Sequence, residues 1–215
     1  MTVIIFDFDG TIADTFDAVL RIINRLGNEF GLKPLGAEDV KRYQNLSSRE
    51  VIRQSEISVV RLPFLLRRLK AELNHEIHQL KLIPGMRDAL ITLKQQGHQL
   101  GIVTSNSSEN VAIFLKAHQL NDLFDFIYSG TTIFGKSRVI RRILHQRRLN
   151  PASVVYVGDE TRDIEAARNI NVKVVAVSWG FNSSKALIEQ NPDYLIHQPD
   201  ELIDIINKFQ NVVNQ

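Results

Sequence analysis

Residues 2–11 read TVIIFDFDGT, a short apolar run followed by two acidic side chains that stand one residue apart. The run is β-branched and nearly continuous, which is typical of a buried strand in a parallel sheet. Asp7 and Asp9 carry like charges, so each disfavours ionisation of the other unless a cation, a hydrogen-bond network or a shared proton lies between them. The stretch therefore predicts a buried strand with a polar site at its end.

Five further runs of the chain have the same character. We predict strands at residues 99–103, 124–130, 153–158, 172–180 and 193–196. Helical periodicity covers the intervening segments 107–119, 137–148 and 162–170. Alternating strands and helices predict an α/β fold, in which a doubly wound, Rossmann-like parallel sheet carries helices on both faces. In such folds ligands bind beyond the carboxyl ends of the strands.

The segment between residues 15 and 82 departs from this alternation because it carries no strand pattern. Amphipathic helical patterns cover residues 16–31, 48–57 and 59–80. We therefore predict a small all-α cap, residues 15–82, inserted after the first strand. The α/β core is predicted to comprise residues 1–14 and 83–215. Asp14 is predicted to cap the first helix of the insert.

Composition excludes several classes of protein. The 215 residues include no cysteine, so a disulfide framework, a thiolate nucleophile and a cysteine-ligated zinc site are ruled out. No run approaches the roughly 18 apolar residues of a membrane span, and we expect a cytoplasmic protein without membrane or nucleic-acid partners. The basic run 136–149 is interpreted as a solvated helix face, because apolar residues recur beneath the charges and no aromatic residues interleave with them.

Polar side chains follow four of the predicted strands. Because the carboxyl ends of parallel strands meet at one edge of a sheet, we expect these groups to share a single cleft. They are Asp7 and Asp9 after the first strand, Thr104, Ser105 and Asn106 after the second, Lys136 after the third, and Asp159, Glu160 and Asp163 after the fourth.

The four segments DFDGT, TSN, GKS and GDETRD resemble the four motifs of the haloacid dehalogenase-like phosphohydrolase superfamily. The resemblance covers the whole chain, since the helical segment falls where cap-bearing members place their cap. Residues 157–170, VGDETRDIEAARNI, are most similar to the branch that contains phosphoglycolate phosphatases and β-phosphoglucomutases. The resemblance implies an Mg²⁺-dependent phosphatase that hydrolyses a small phosphorylated metabolite through an aspartyl-phosphate.

The resemblance also implies a role for each residue of the first and fourth motifs. Asp7 stands where the family has its nucleophile, and a carboxylate can attack phosphorus. Asp9 is implied as general acid to the leaving alcohol and then as base to water. The implied Mg²⁺ ligands are the Asp7 side chain, the Asp9 backbone carbonyl and the Asp159 side chain, all hard oxygen donors. Asp163 is implied to hold Lys136 or to support the water shell of the metal, and the role of Glu160 is left open.

The remaining motif residues match groups that bind the phosphoryl group. Lys136 is implied to supply a positive charge to the phosphoryl oxygens and to Asp7, which phosphoryl transfer requires. Thr104 and Asn106 are implied as hydrogen-bond donors, with Ser105 between them. Gly10 lets the backbone turn tightly past the nucleophile, and the neighbouring amides can face an anion.

The sequence leaves the substrate and two alternative functions open. Relatives in this branch usually have proline after the lysine of the third motif, whereas this chain has Ser137 and Arg138. The segment 43–54 lacks the glycine-rich loop expected of a sugar-phosphate mutase. Arg49, Arg53 or Arg42 is expected to meet the anionic part of the substrate; the alternative is that they are ordinary surface arginines. A phosphomutase and a non-enzymatic, phospho-accepting regulatory domain stay as alternatives, and the chain is expected to be a monomer or a homodimer.

Overall fold

The computed structural model describes residues 1–55, 57–58, 60–132 and 135–213. All six predicted strands are present in it, each within its predicted run and most of them shorter. They are β1 (Val3–Phe6), β2 (Gln99–Val103), β3 (Phe126–Tyr128), β4 (Val154–Gly158), β5 (Lys173–Val177) and β6 (Tyr194–Ile196).

These strands form one parallel sheet in the order β3-β2-β1-β4-β5-β6. β1 lies inside the sheet, where Phe6 pairs with Ile102 of β2 on one side and with Val157 of β4 on the other. The strand order reverses about β1, since the chain runs outward through β2 and β3 and then returns to begin β4 beside it. Such a switch point opens a crevice at the carboxyl end of the strand.

Successive residues of β1 point into two different layers of packed side chains. Ile4 and Phe6 belong to one layer, and Val3 and Ile5 belong to the other. All four are buried, which is why the strand reads as a continuous apolar run rather than as an alternating one. The predicted fold class, a doubly wound α/β sheet with helices on both faces, is confirmed.

Among the described residues, the α-helices that cover the sheet fall into two sets of three. The layer that contains Ile4 and Phe6 is completed by α5 (Met86–Gln95), α6 (Ser108–Ala117) and α10 (Glu201–Val213). The opposite layer is completed by α7 (Lys136–Gln146), α8 (Thr161–Arg168) and α9 (Ser184–Glu189).

Between β1 and α5 the described residues form a helical insert of four α-helices, α1 (Phe16–Phe30), α2 (Ala37–Gln44), α3 (Ser48–Gln54) and α4 (Leu62–Glu76). α1 and α4 run antiparallel, and ion pairs join Arg21 to Glu76 at 3.1 Å and Arg25 to Glu72 at 2.8 Å. The sequence pattern did not indicate α2, which buries none of its side chains and so carries no apolar stripe. Glu56 and Val59, which fall in predicted helical segments, lie outside the described residues. The domain boundaries 1–14, 15–82 and 83–215 stay a prediction.

The prediction that Asp14 caps the first helix is wrong. α1 begins at Phe16, its N-cap is Thr15, and Asp14 is exposed. The backbone N–H of Asp14 donates to the carbonyl of Lys81 at 2.9 Å, beside an isolated bridge between Ala13 and Leu82. The chain is still extended at this point, so the helix can begin only after it.

The basic run 136–149 is a helix with one buried face, as predicted. Ile140, Ile143 and Leu144 of α7 are buried, whereas Arg138 and Arg141 are exposed. Within the described ranges, no helix combines the length and the apolar character that crossing a bilayer requires.

Candidate active site

The turn after β1 brings the first motif to the carboxyl edge of the sheet. The Asp7 amide donates to the Val157 carbonyl at 2.8 Å, and Oδ1 of Asp7 accepts the amide of Phe8 at 2.7 Å. Gly10 follows with φ of +75°, a conformation that side chains disfavour, and a Cβ added there would lie 2.4 Å from Oδ2 of Asp159. The turn therefore packs directly against the end of β4.

A buried lysine lies between two carboxylates of this site. Nζ of Lys136 is 2.5 Å from Oδ2 of Asp7 and 2.5 Å from Oδ1 of Asp163. Only 1% of Lys136 is exposed, so its charge is compensated by protein rather than by water. Burial opposes the charged ammonium, but the charges of Asp163 and Asp7 outweigh this and raise the pKa of Lys136. Tyr156 Oη adds a weaker contact to Oδ1 of Asp163 at 3.4 Å.

Asp159 completes a cluster of buried carboxylates. Its Oδ1 accepts the hydroxyl of Thr11 at 2.7 Å, and its Oδ2 accepts the amide of Phe181 at 2.7 Å. Burial, followed by the nearby charges of Glu160 and Asp7, raises the pKa of Asp159 well above its usual range.

Asp7, Asp159 and Asp163 each offer a carboxylate oxygen within 4.8 Å of the others. Three buried acids so close together need a counter-charge beyond the single ammonium of Lys136, and hard oxygen ligands suit Mg²⁺. Glycine at position 180 keeps the space beside Asp159 open, because a Cβ added there would lie 2.2 Å from Oδ2 of Asp159. The described cluster can therefore hold a divalent metal ion.

Asp9 lies on the other side of the turn and faces a cavity. Its two carboxylate oxygens accept hydrogen bonds from the side-chain Nδ2 of Asn106 at 2.9 and 3.1 Å. The backbone amide of Asn106 donates to Oγ1 of Thr104 at 3.0 Å. Loss of hydration raises the pKa of Asp9 to about 6, although the hydrogen bond from Asn106 lowers it. Burial likewise raises the pKa of Asp7 to about 7, against the lowering effect of Lys136.

The cavity lies between the helical insert and the strand ends, and its volume is about 580 Å³. Apolar side chains of α1 and α4 form much of its wall. Polar groups line the cavity on two sides. Those at the sheet edge and on α4 are Asp9, Ser105, Asn106, Glu160, Arg162 and Lys70, and others come from α2, α3 and the chain between α1 and α2.

The structure brings most of the predicted site residues together. Lys136 contacts both Asp7 and Asp163, a carboxylate oxygen of Asp159 lies within 4.8 Å of those two carboxylates, and Asn106 joins Thr104 to Asp9. The carboxylate cluster contains Asp163 rather than the side chain of Asp9. The prediction for Asp9 concerned its backbone carbonyl, and that stays a prediction.

The arginines of the insert are placed differently from one another. Arg49 is 3.5 Å from Glu165 of α8, and its side chain is 69% exposed. Arg42 contributes to the cavity wall, whereas Arg49 and Arg53 are absent from its described lining. Substrate binding by Arg49 stays a prediction. Glu160, whose role was left open, accepts Oγ of Ser48 from α3 at 3.1 Å.

Three contacts of the site were not predicted. The sequence could have indicated the contact made by the Thr11 hydroxyl, because Thr11 directly follows Gly10 in the first motif. The amide of Phe181 is a backbone group and leaves no signal in the sequence. Asn110 is buried in α6 and donates to Oδ1 of Asn106 at 2.9 Å, and a single asparagine four residues beyond a motif carries no pattern.

Residues 4–177 match the family model described as haloacid dehalogenase-like hydrolase. The chain belongs to this family. Phosphoglycolate phosphatase from Synechococcus elongatus is 38% identical over 209 residues, which cover 97% of this chain and 99% of that protein. A haloacid dehalogenase-like hydrolase from Streptococcus pneumoniae has a similar fold, with a TM-score of 0.79, 23% identity, and coverage of 95% of this chain and 98% of that one. A proposed β-phosphoglucomutase from Thermotoga maritima superposes with a TM-score of 0.68 at 25% identity, covering 97% and 99%.

These similarities confirm three of the predictions made from the four motifs. The family is the predicted one, the fold is that of its solved members, and the chain is an enzyme of the haloacid dehalogenase-like phosphatase type.

Proposed function

We propose that this haloacid dehalogenase-like hydrolase cleaves the phosphate monoester of a small metabolite, with Asp7 as nucleophile and 2-phosphoglycolate as the first substrate to test. The observation that carries the proposal is the buried contact of Lys136 with Asp7, at the switch point of the sheet and below a cavity. The similarity to the phosphoglycolate phosphatase of Synechococcus elongatus over nearly the full length of both chains supports the choice of substrate.

In the first step a carboxylate oxygen of Asp7 attacks phosphorus, and the bond from phosphorus to the ester oxygen breaks. Asp9 donates its proton to the departing oxygen, which leaves as an alcohol. Lys136 lies against Asp7, so its ammonium holds the carboxylate in place and attracts the phosphoryl oxygens. The product of this step is an aspartyl-phosphate on Asp7 with Asp9 ionised.

In the second step water attacks the phosphorus of the aspartyl-phosphate. Asp9 takes a proton from this water, and the bond from phosphorus to the Asp7 oxygen breaks to release inorganic phosphate. Both carboxyl groups then return to their starting states. Asn106 holds the Asp9 carboxylate through both steps, since its Nδ2 donates to both oxygens.

The residues of the site fit Mg²⁺. Asp7 and Asp159 would hold the ion with their side chains and Asp9 with its backbone carbonyl, while Asp163 orients Lys136 and the water shell. Bound Mg²⁺ supplies the positive charge that offsets the anionic phosphoryl group and the clustered carboxylates. The fit rests on three buried acids whose oxygens lie within 4.8 Å of one another.

We further propose a cytoplasmic location, supported by the absence of cysteine. A monomer or homodimer without nucleic-acid partners remains our expectation. The basic face of α7 is solvated and lies away from the cavity lining.

The test is release of inorganic phosphate from 2-phosphoglycolate and a panel of small phosphomonoesters, with Mg²⁺ and with EDTA. We expect turnover with Mg²⁺ only, and loss of turnover in Asp7→Asn, which preserves shape but removes the nucleophile. Asp14→Asn is the matched control, because Asp14 is exposed and stands outside the site. It should retain wild-type activity.

Three results would count against the proposal. Turnover that survives Asp7→Asn would exclude this residue as nucleophile. Isomerisation of a sugar phosphate without release of phosphate would indicate a phosphomutase. Stable phosphorylation of one carboxylate per chain, without turnover, would indicate a regulatory domain.

A further inference from the structure

Helix α4 of the insert is tied to the acidic site by a chain of asparagine side chains. Asn110 donates through Nδ2 to the Lys70 carbonyl at 3.1 Å and to Oδ1 of Asn106 at 2.9 Å. Its Oδ1 accepts Nδ2 of Asn74 at 2.7 Å. Asn106 in turn donates to the carboxylate of Asp9. Asn110 is fully buried, and its side-chain amide is bonded both to α4 and to Asn106. Two asparagine side chains, Asn110 and Asn106, therefore connect the backbone of Lys70 to the carboxylate of Asp9.

The ammonium of Lys70 is available for a ligand. Lys70 is half-buried and lines the same cavity as Asp9. Within the described ranges of the chain, no hydrogen-bond or ion-pair partner contacts its Nζ. Burial lowers the pKa of Lys70, the charge of Asp9 raises it, and the positive charge of Arg162 lowers it further. A cation in this setting is stabilised by an anion that enters the cavity.

A second cation lines the cavity from the core side. The guanidinium of Arg162 forms an ion pair with Glu160, and Glu160 also accepts the hydroxyl of Ser48 from the insert. Only 13% of the Arg162 side chain is exposed, and it is part of the cavity wall. Arg162 therefore presents a positive charge whose position is fixed by both the core and the insert.

We infer that Lys70 and Arg162 form a subsite that binds a carboxylate on the leaving group of the substrate. The inference rests on the proposed function, in which Asp9 protonates the oxygen that departs. A carboxylate attached close to that oxygen lies beside Asp9, where Lys70 and the fork of Arg162 can both donate to it. The substrates selected by this subsite are phosphate monoesters of hydroxy acids.

The volume of the cavity extends this class beyond glycolate. About 580 Å³ exceeds what a two-carbon hydroxy acid fills, and the part of the wall that α1 and the start of α4 form is largely apolar. Hydroxy acids that carry an aliphatic chain can therefore bind with the carboxylate at the subsite and the chain against α1 and α4.

The experiment compares two esters that differ only in the carboxylate, 2-phosphoglycolate and 2-hydroxyethyl phosphate. The measured quantity is the ratio of kcat/KM for the first ester to kcat/KM for the second. We expect Lys70→Met to lower this ratio by about ten-fold or more, the range expected for a lost hydrogen bond between charged groups. The loss should appear chiefly in KM for 2-phosphoglycolate, and Lys70→Arg should restore most of the ratio.

Arg67→Met is the matched control, because Arg67 lies on the exposed side of the same helix and outside the described cavity lining. It should leave the ratio unchanged. Arg162→Met should lower the ratio as well, and where this variant fails to fold, the two Lys70 variants decide. A ratio that is the same in Lys70→Met and wild type would overturn the subsite while leaving the phosphatase intact. Absence of turnover of both esters by the wild type would overturn the proposed function, and the subsite with it.

Discussion

Replacing Lys136 with methionine tests the electrostatic balance of the buried site directly. Methionine has nearly the length of lysine, so the substitution removes the charge while leaving little empty space. The ammonium lies 2.5 Å from each of two buried carboxylates, and removing one partner of a buried ion pair costs about 3–5 kcal/mol. We expect a loss of that size in the free energy of unfolding, measured by urea denaturation at pH 8 with EDTA present.

The loss should depend on pH in a defined direction. In the wild type the pKa of Asp7 is raised to about 7, and removal of the ammonium raises it further. When the pKa of a carboxyl is higher in the folded protein than in the unfolded chain, the protein loses stability as the pH rises from the lower pKa to the higher one. At pH 6 Asp7 is mostly protonated in both proteins, so its contribution to the difference is small. Above pH 7 the difference should grow by about 1.4 kcal/mol for each unit by which the pKa of the variant exceeds that of the wild type.

A second substitution decides whether charge is the cause. In the wild type, Asp163→Asn removes a charged hydrogen bond to Lys136 and should destabilise the protein by about 1.5–3 kcal/mol. In the Lys136→Met background, the same change removes one of two uncompensated carboxylates and should stabilise the protein. If Asp163→Asn lowers stability equally in both backgrounds, the lysine does not compensate these charges and the reasoning fails.

Three further predictions follow from close contacts and from charge. Gly101→Ala on β2 places a Cβ 2.1 Å from the ring of Phe126 and should lower the free energy of unfolding by about 1–3 kcal/mol. Adding Phe126→Leu should recover part of this loss. A loss below about 0.5 kcal/mol would contradict the packing. Gly180→Ala crowds Asp159 and should weaken Mg²⁺ binding, read as a smaller rise in Tm on Mg²⁺ titration; an unchanged titration would exclude this region from the metal site. Without metal, stability should fall between about pH 4 and pH 7, because Asp7 ionises in the unfolded chain but stays protonated in the folded protein until its raised pKa of about 7. Mg²⁺ binds the ionised carboxylates, so the rise in Tm that it causes should be larger at about pH 8 than at about pH 5.5; equal rises would count against the buried carboxylates as ligands.

The strands and the site could be predicted from the sequence for the same physical reason. Strands buried on both faces leave continuous apolar runs, and the first polar residue after each run marks the edge of the sheet. The grouping of Asp7 with Asp159 then required only the rule that parallel strands end on one side. Lys136 begins α7, several residues beyond the end of β3, and the resemblance of GKS to the third motif supported its inclusion. No knowledge of side-chain packing was needed.

Features that depend on how the insert sits on the core could not be predicted. The bridge from Asn106 through Asn110 to the backbone of Lys70 joins three segments, and each asparagine alone has many possible partners. The direction of Arg49 was also open, because α3 buries none of its residues, so its amphipathic pattern does not determine which way each side chain points. Lys70 lies on an amphipathic helix, and from the sequence alone every charged residue of that helix is expected to face solvent. Only the position of the opposite cavity wall shows that Lys70 faces the cavity.

The position of β1 inside the sheet has a consequence for how the enzyme loses activity. The amide of Asp7 is bonded to β4, and β1 is flanked by paired strands on both sides. Amides in such positions exchange with solvent only through the largest openings of a protein. Hydrogen exchange at Asp7 should therefore be among the slowest in the chain, and inactivation by denaturant should coincide with cooperative melting of the sheet, not precede it as in enzymes whose reactive groups stand on loose loops.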